Sequence, residues 1–363
     1  MSRCPHACES HYSSEDVKLL QDISTIDAEL HRLMEVPMAL RRRRNALIPI
    51  ARLPDDLLTR VFRTCMPRGY FWRPPSRQQL VFTHVCSHWR SVGLQDPVLW
   101  ASLNLNHGAV AQEFLSRSGQ APLFLYVEIH EGSGDFTAPY DPLIDARWLD
   151  DIIGIIYLHA SRIRGIRIHG SNRDWRVIED TLTRNEARFP GLQYIDASVY
   201  HPWDAAPGAS SNPGLSWATD ASLHHLHLRD CRFDLAPFDP SCIRSLHLHN
   251  SQAHTIDAAQ WHYMLSSATR LESLHIADRV AMPTMDGESL VELPHLVDIR
   301  LEGPMTSCAN ILDHVQLPAA ARIAIHQNGP RTIDHANEGG IEALASFLAR
   351  YLARIPTSEV VAF

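Results

Sequence analysis

Apolar residues fall along this chain in two rhythms, and the change comes near residue 100. Before it the spacing is helical. From Ser14, the residues Val17, Leu20, Ile23, Leu30, Leu33 and Met34 form one broad stripe, which Pro37 is expected to interrupt. A second short helix is expected from Met38 to Leu47, carrying Arg41, Arg42, Arg43 and Arg44. Leu53-Pro54 then reads as a stop and a start, because proline forces the residue before it out of helical geometry yet suits a first helical turn. Asp55 and Asp56 sit where acidic side chains favour a helix N-terminus. Leu57 with Val61, and Leu58 with Phe62, are i,i+4 pairs that give this helix a wide apolar face. Phe82, Val85, Trp89 and Val92 continue the pattern in a second helix, and Trp100 follows a turn at Pro97.

After Trp100 short alternating runs take over. They begin with 123–129 (LFLYVEI), 163–168 (IRGIRI), 192–197 (LQYIDA) and 223–228 (LHHLHL). They continue with 243–248 (IRSLHL), 271–276 (LESLHI), 296–301 (LVDIRL) and 322–325 (RIAI). Helical segments are expected between them at Trp148–His159, Arg176–Ala187, Ala258–Ala268 and Ala309–Val315, with a surface loop over Tyr200–Trp217. Gly339-Gly340 precedes an amphipathic pattern through Ile341, Leu344, Phe347, Leu348, Tyr351 and Leu352, expected to cap the last repeat.

From Ile163 on, most of the runs fit L-x-x-L-x-L and so resemble the strand segment of a leucine-rich repeat. The central aliphatics Ile166, Ile195, Leu226, Leu246, Leu274, Ile299 and Ile323 lie 29, 31, 20, 28, 25 and 24 residues apart. The resemblance implies an α/β solenoid of parallel strands backed by helices over residues 106–363. A conventional α/β domain with a parallel sheet would produce similar runs.

The helical part resembles the F-box. Leu-Pro, an acidic helix start, paired aliphatics and Val-Phe stand at Leu53–Phe62, and Val-Cys-x-x-Trp and Pro-x-x-Trp follow at Val85–Trp89 and Pro97–Trp100. The match covers Ile50 to about Leu105, and it departs from a compact F-box in the longer stretch Met66–Gln79. The resulting division is a tail over 1–14, a helical lead-in over 15–48, an F-box-like domain over 49–105 and the repeat-like region beyond. The resemblance implies docking to a Skp-type adaptor of a cullin–RING ubiquitin ligase through Leu53, Pro54, Leu57, Leu58, Val61, Phe62, Val85, Trp89 and Trp100. The repeats would then hold a client protein, making the chain a substrate receptor and not an enzyme. The alternative is an interaction scaffold outside ubiquitination, in which these helices only cap the first repeat.

Composition narrows the classes. The 363 residues carry a net charge of −8, which argues against nucleic acid as the main partner, and no segment approaches the roughly 20 apolar residues of a membrane span. Seven scattered cysteines and a polar N-terminus lead to the expectation of a soluble cytoplasmic or nuclear protein. Cys4, His6, Cys8 and His11 crowd the first residues but lack the paired, separated spacing of a structural zinc site, and no cofactor is expected. Phosphate loops, G-x-S-x-G elbows, H-E-x-x-H and paired CxxC motifs are absent from the sequence. Lys18 is the only lysine. A coding bias toward arginine accounts for this; on the F-box resemblance, it would also make the receptor a poor target of its own ligase. Ligase-dependent ubiquitination that survives Lys18→Arg would count against that second account.

If the repeat template holds, the positions between the buried aliphatics line one exposed sheet face, the concave one. One row reads Arg167, Asp196, His227, His247, His275, Arg300; the next includes Arg229 and His249. Strands about 4.8 Å apart would stack the three histidines into a ladder. Such a face reads as a hydrated polar surface, as a surface that grips an acidic client more tightly below pH ~6.5, or as a metal site.

Overall fold

The first helix, α1 (Ser14–Ala46), runs unbroken through Pro37. Proline removes one backbone donor but does not end a helix whose flanks are rich in Leu, Ala, Glu and Arg, all strong helix formers. The expected break is therefore absent. The computed structural model describes residues 14–66, 80–106, 108–129, 142–200, 216–218, 221–230, 239–249, 258–277, 290–327 and 335–353. The Cys4–His11 cluster and nearly all of the Met66–Gln79 stretch lie outside them.

The chain divides into two compact units, the first taking in the described residues up to Asp96 and the second beginning at Pro97. In the first, a 3₁₀ turn (Pro49–Arg52) leads through Leu53 and Pro54 into α2 (Asp55–Cys65), with Asp55 and Asp56 in its first turn. The expected single helix through Phe82 and Trp89 is two: α3 (Val81–Val85) and α4 (Ser87–Gln95). Cys86 separates them in extended conformation (φ −159°, ψ 171°), and its Sγ accepts from the Trp89 N–H at 3.5 Å to cap α4. The core here is aromatic: Phe62 stacks on Phe82 at 4.6 Å and leans on Trp89 at 5.1 Å. Arg63 clamps the buried Asp96 carboxylate with two hydrogen bonds, of 2.8 and 2.7 Å, tying the end of α2 to the end of α4.

In the second unit a 3₁₀ turn (Pro97–Trp100) leads into β1 (Ser102–Asn104), α5 (Gly108–Arg117) and β2 (Leu123–Glu128). Next come α6 (Pro142–Leu158), β3 (Ile163–Ser171), α7 (Asn172–Arg184) and β4 (Tyr194–Tyr200). They are followed by β5 (His225–Arg229), β6 (Ser245–His249), α8 (Ala258–Ser267) and β7 (Ser273–Ala277). The last elements are β8 (Val291–Glu292), β9 (Asp298–Glu302), α9 (Met305–Asp313), β10 (Val315–Gln316), β11 (Arg322–His326) and α10 (His335–Leu352).

Nine strands form one parallel sheet in the order β1-β2-β3-β4-β5-β6-β7-β9-β11, while β8 and β10 pair with each other apart from it. The order never reverses, as it would at the switch point of a doubly wound sheet. A parallel sheet that grows in one direction, with helices in several crossovers, is an α/β fold compatible with a solenoid. The register matches the expected repeat: Ile166, Ile195, Leu226, Leu246, Leu274, Ile299 and Ile323 are successive partners across six strand pairs. Most of them, with the aliphatics two residues on (Ile168, Leu228, Leu248, Ile276, Leu301), are buried on one sheet face. Because side chains alternate, the intervening residues all occupy the other face.

Three expectations change here. Tyr200 ends β4, and Trp217 is buried with its ring edge on Phe189 at 5.0 Å, so neither belongs to a surface loop; 201–215 lie outside the described residues. The turn at Pro97 and the residues up to Leu105 belong with the sheet and not with the helical unit. Gly340 lies inside α10 rather than before it. A Cβ there would come 2.6 Å from the Thr306 backbone N and 2.8 Å from the Met305 Cβ, so glycine lets α10 settle on the start of α9. Tyr351, further along α10, holds the 318–321 loop, with its hydroxyl 2.9 Å from the Pro318 carbonyl and 3.0 Å from that of Ala321.

Candidate functional site

The helical unit presents two kinds of residue among those expected to meet an adaptor. Leu58 and Phe62 are fully buried, since the i,i+4 face of α2 is the face that the aromatic core covers. They support a surface and do not form one. Leu53, Val61 and Trp89 are half-buried, and Pro54 is exposed. Leu57 is 44% exposed and Val85 51%, and Val81 beside them in the α3 sequence is also open. Trp100 belongs to the second unit, where it is buried edge-on to Phe114 at 4.9 Å under the Arg117 guanidinium at 4.8 Å. Its large ring closes the start of the sheet.

The polar sheet face of the second unit carries the other expected site. Arg167, Asp196, His227, His247, His275 and Arg300 are successive cross-strand partners, as are His169, Ser198, Arg229, His249, Ala277 and Glu302 two residues on. Arg167, Asp196, Arg229, His249 and the three-histidine ladder line one cavity of about 380 Å³ together with Arg300. The His227 and His247 rings stack at 4.1 Å with 5° between planes, and His275 meets His247 edge-on at 5.4 Å.

Ser273 and Asp298 also line this cavity, and Ser245 borders it; none of the three is in the rows expected from the sequence. They come from the row two residues before the ladder, in which Tyr194 stacks on His225 at 4.4 Å. His227 Nε2 lies 3.3 Å from Ser245 Oγ and His247 Nε2 lies 3.2 Å from Ser273 Oγ, a diagonal repeated on successive strands. His275 Nε2 is 3.2 Å from Glu302 Oε1. The signal was present in the repeated Ser-Leu-His of 245–247 and 273–275, since residues i and i+2 of a strand share a face.

Burial dominates the electrostatics of this face. Loss of water pushes the His227 imidazole down to about 2 and that of His247 to about 4, with neighbouring histidines and arginines adding to the effect. His169 and His225 are each held near 4 for the same first reason, and His249 is lowered too. Burial pushes the Asp196 carboxyl up to about 6 against the pull of Arg167, whose Nε is 3.2 Å away, and of Arg229. Near neutral pH His227 and His247 are therefore neutral imidazoles, each able to donate and accept one hydrogen bond. For His227 and His247 a grip that tightens on charging near pH 6.5 does not fit, because burial displaces their protonation to far more acid conditions. The fixed positive charge comes from Arg167, Arg229 and Arg300.

Among the described residues no three His, Cys, Asp or Glu side chains converge as metal ligands. No helix among them is long and apolar enough to cross a membrane. Comparison with protein-family models finds no match to this chain, and comparison with curated proteins finds none either.

Proposed function

We propose that this chain is a substrate receptor of an SCF-type cullin–RING ubiquitin ligase. Its helical unit holds a Skp-type adaptor, and its leucine-rich-repeat-like sheet holds a client protein. The observation that carries the reading is the exposure of Leu57 and Val85, two positions of the F-box resemblance, on α2 and α3, whose Phe62 and Phe82 are already stacked in the aromatic core. Aliphatic side chains left open beside a finished aromatic core suit a surface that another protein completes. Chemistry is done by other subunits; this chain contributes proximity.

The client end of the reading rests on the polar sheet face. Arg167, Arg229 and Arg300 around neutral, stacked imidazoles favour a client segment that offers carboxylates and planar groups. The packing of Trp100 against Phe114 favours the alternative for that one residue, as a seal on the first strand and not an adaptor contact.

Co-purification of the full chain with a Skp-type adaptor tests the proposal. Leu57→Asp and Val85→Asp should abolish the association while the melting transition of the chain stays within a few degrees, because both side chains are exposed. Absence of association in the wild type, or its survival in both variants, overturns the ligase reading and leaves the scaffold.

A further inference from the structure

Helix α1 spans 33 residues, about 50 Å at 1.5 Å per residue. From Lys18 to Ala46 every residue with a described side chain is exposed, apart from half-buried Asn45. Its apolar residues are nevertheless ordered. Leu19, Ile26, Leu33 and Leu40 recur every seven residues and are all more than half exposed; Ile23 and Leu30 fill the places between in the first half, and Pro37 and Arg44 stand there in the second. Polar or small residues such as Gln21, Ser24, Ala28, His31, Glu35 and Arg42 occupy the opposite side. A seven-residue apolar repeat is the seam of a two-stranded coiled coil. Most of a helix's stability in a protein comes from packing such a face, so an open seam of this length calls for a partner helix.

The charges beside the seam select the partner. Asp22, Asp27 and Glu29 flank its first half, and Arg41 and Arg43 flank its second. Two copies side by side in parallel would set Asp22 against Asp27 of the second copy and bring no opposite charges together. Two antiparallel copies, with Leu30 layered on Leu40, set Glu29 against Arg43 and Asp27 against Arg41, each twice by symmetry. The same register brings Met34 and Val36 each against its own counterpart across the two-fold axis, and layers Leu33 on Pro37 and Ile26 on the aliphatic stem of Arg44. Glu29 also accepts from Arg32 at 3.0 Å within its own helix, which leaves carboxylate lone pairs for a second donor. We propose that α1 is a self-association element through which two copies of this chain pair antiparallel, the acidic half of one helix along the basic half of the other.

Sedimentation of the full chain over about 1–50 μM tests this. A dimer is expected, and Leu30→Glu/Leu33→Glu should return it to monomer with the melting of the remaining domain unchanged, since both side chains are exposed. Orientation is read from charge reversal. Asp27→Arg/Glu29→Arg should weaken the antiparallel dimer by tenfold or more at low salt, and adding Arg41→Asp/Arg43→Glu should restore it. In a parallel pair Asp27→Arg would face Asp22 and tighten association instead. A wild type that stays monomeric throughout, a dimer that survives Leu30→Glu/Leu33→Glu, or a charge reversal that tightens binding overturns the proposal.

Discussion

The imidazoles of His227 and His247 lie face to face on adjacent strands, their centroids 4.1 Å apart and their planes 5° from parallel. Such a stack is stable only while at least one ring is neutral, and burial holds both uncharged, at about 2 and about 4.

That stack makes stability depend on pH in a direction that follows from linkage. In the unfolded chain these histidines take up protons near pH 6.5, whereas in the folded protein His227, His247, His169 and His225 do so only at about 4 or below. Between those limits the unfolded state binds more protons, so stability is complete above pH 6.5 and falls as the pH drops toward 4. Asp196 opposes this: its folded value of about 6 lies above the ordinary 3.8, so protonation in that window relieves a cost. Four histidines outweigh one carboxyl, and the two stacked rings alone are worth about 1–2 kcal/mol each by pH 5. Thermal melts at pH 7.5, 6 and 5 should show a falling midpoint, and His227→Asn/His247→Asn should flatten the slope.

Phe62 and Leu57 should separate stability from association. Phe62→Ala empties the centre of the aromatic core and should cost about 3–5 kcal/mol, unfolding the helical unit at lower denaturant. Leu57→Ala, on an exposed position, should change stability by less than about 1 kcal/mol. Denaturant titrations of the two variants check the contrast.

The Arg63–Asp96 fork ties α2 to the end of α4, and hydrogen bonding to Asp96 holds the Arg63 guanidinium above its usual range. Arg63→Ala removes the fork from a buried carboxylate. The half-exposed guanidinium is partly screened by water, so about 1–3 kcal/mol is expected in place of the larger cost of a fully buried pair. Arg63→Lys should recover less than half of this, because an ammonium cannot make both bonds of the fork at once. Chemical denaturation of the two variants measures the difference.

Gly340→Ala sets two effects against each other. Alanine gains up to about 1 kcal/mol of helix propensity, but its Cβ would press on the Thr306 backbone at 2.6 Å. Backbone cannot give way as a side chain tip can, so overpacking of about 1–3 kcal/mol should win. A lower melting temperature is the expected result, and Gly340→Val should lower it further.

The alternating aliphatics determined most of the sheet: eight of its nine strands, the register from Ile166 on and the identity of the polar rows follow from a period of two, which is a local property, while β1 is too short to show it. Ile166 through Ile323 could be aligned before any contact was known, and so could the ladder from Arg167 to Arg300. The helical unit was legible as far as its apolar faces, because i,i+4 pairs announce themselves. Which of those apolar residues would be spent on the chain's own core was not, since burial of Leu58 and Phe62 but not Leu57 depends on where Phe82 and Trp89 arrive from distant sequence. The break at Cys86, the placement of Trp100 with the sheet and the continuity of α1 through Pro37 were decided the same way. The charge state of the histidines was also settled only by tertiary structure, because a pKa is set by desolvation, and desolvation is the work of neighbours that no single strand contains.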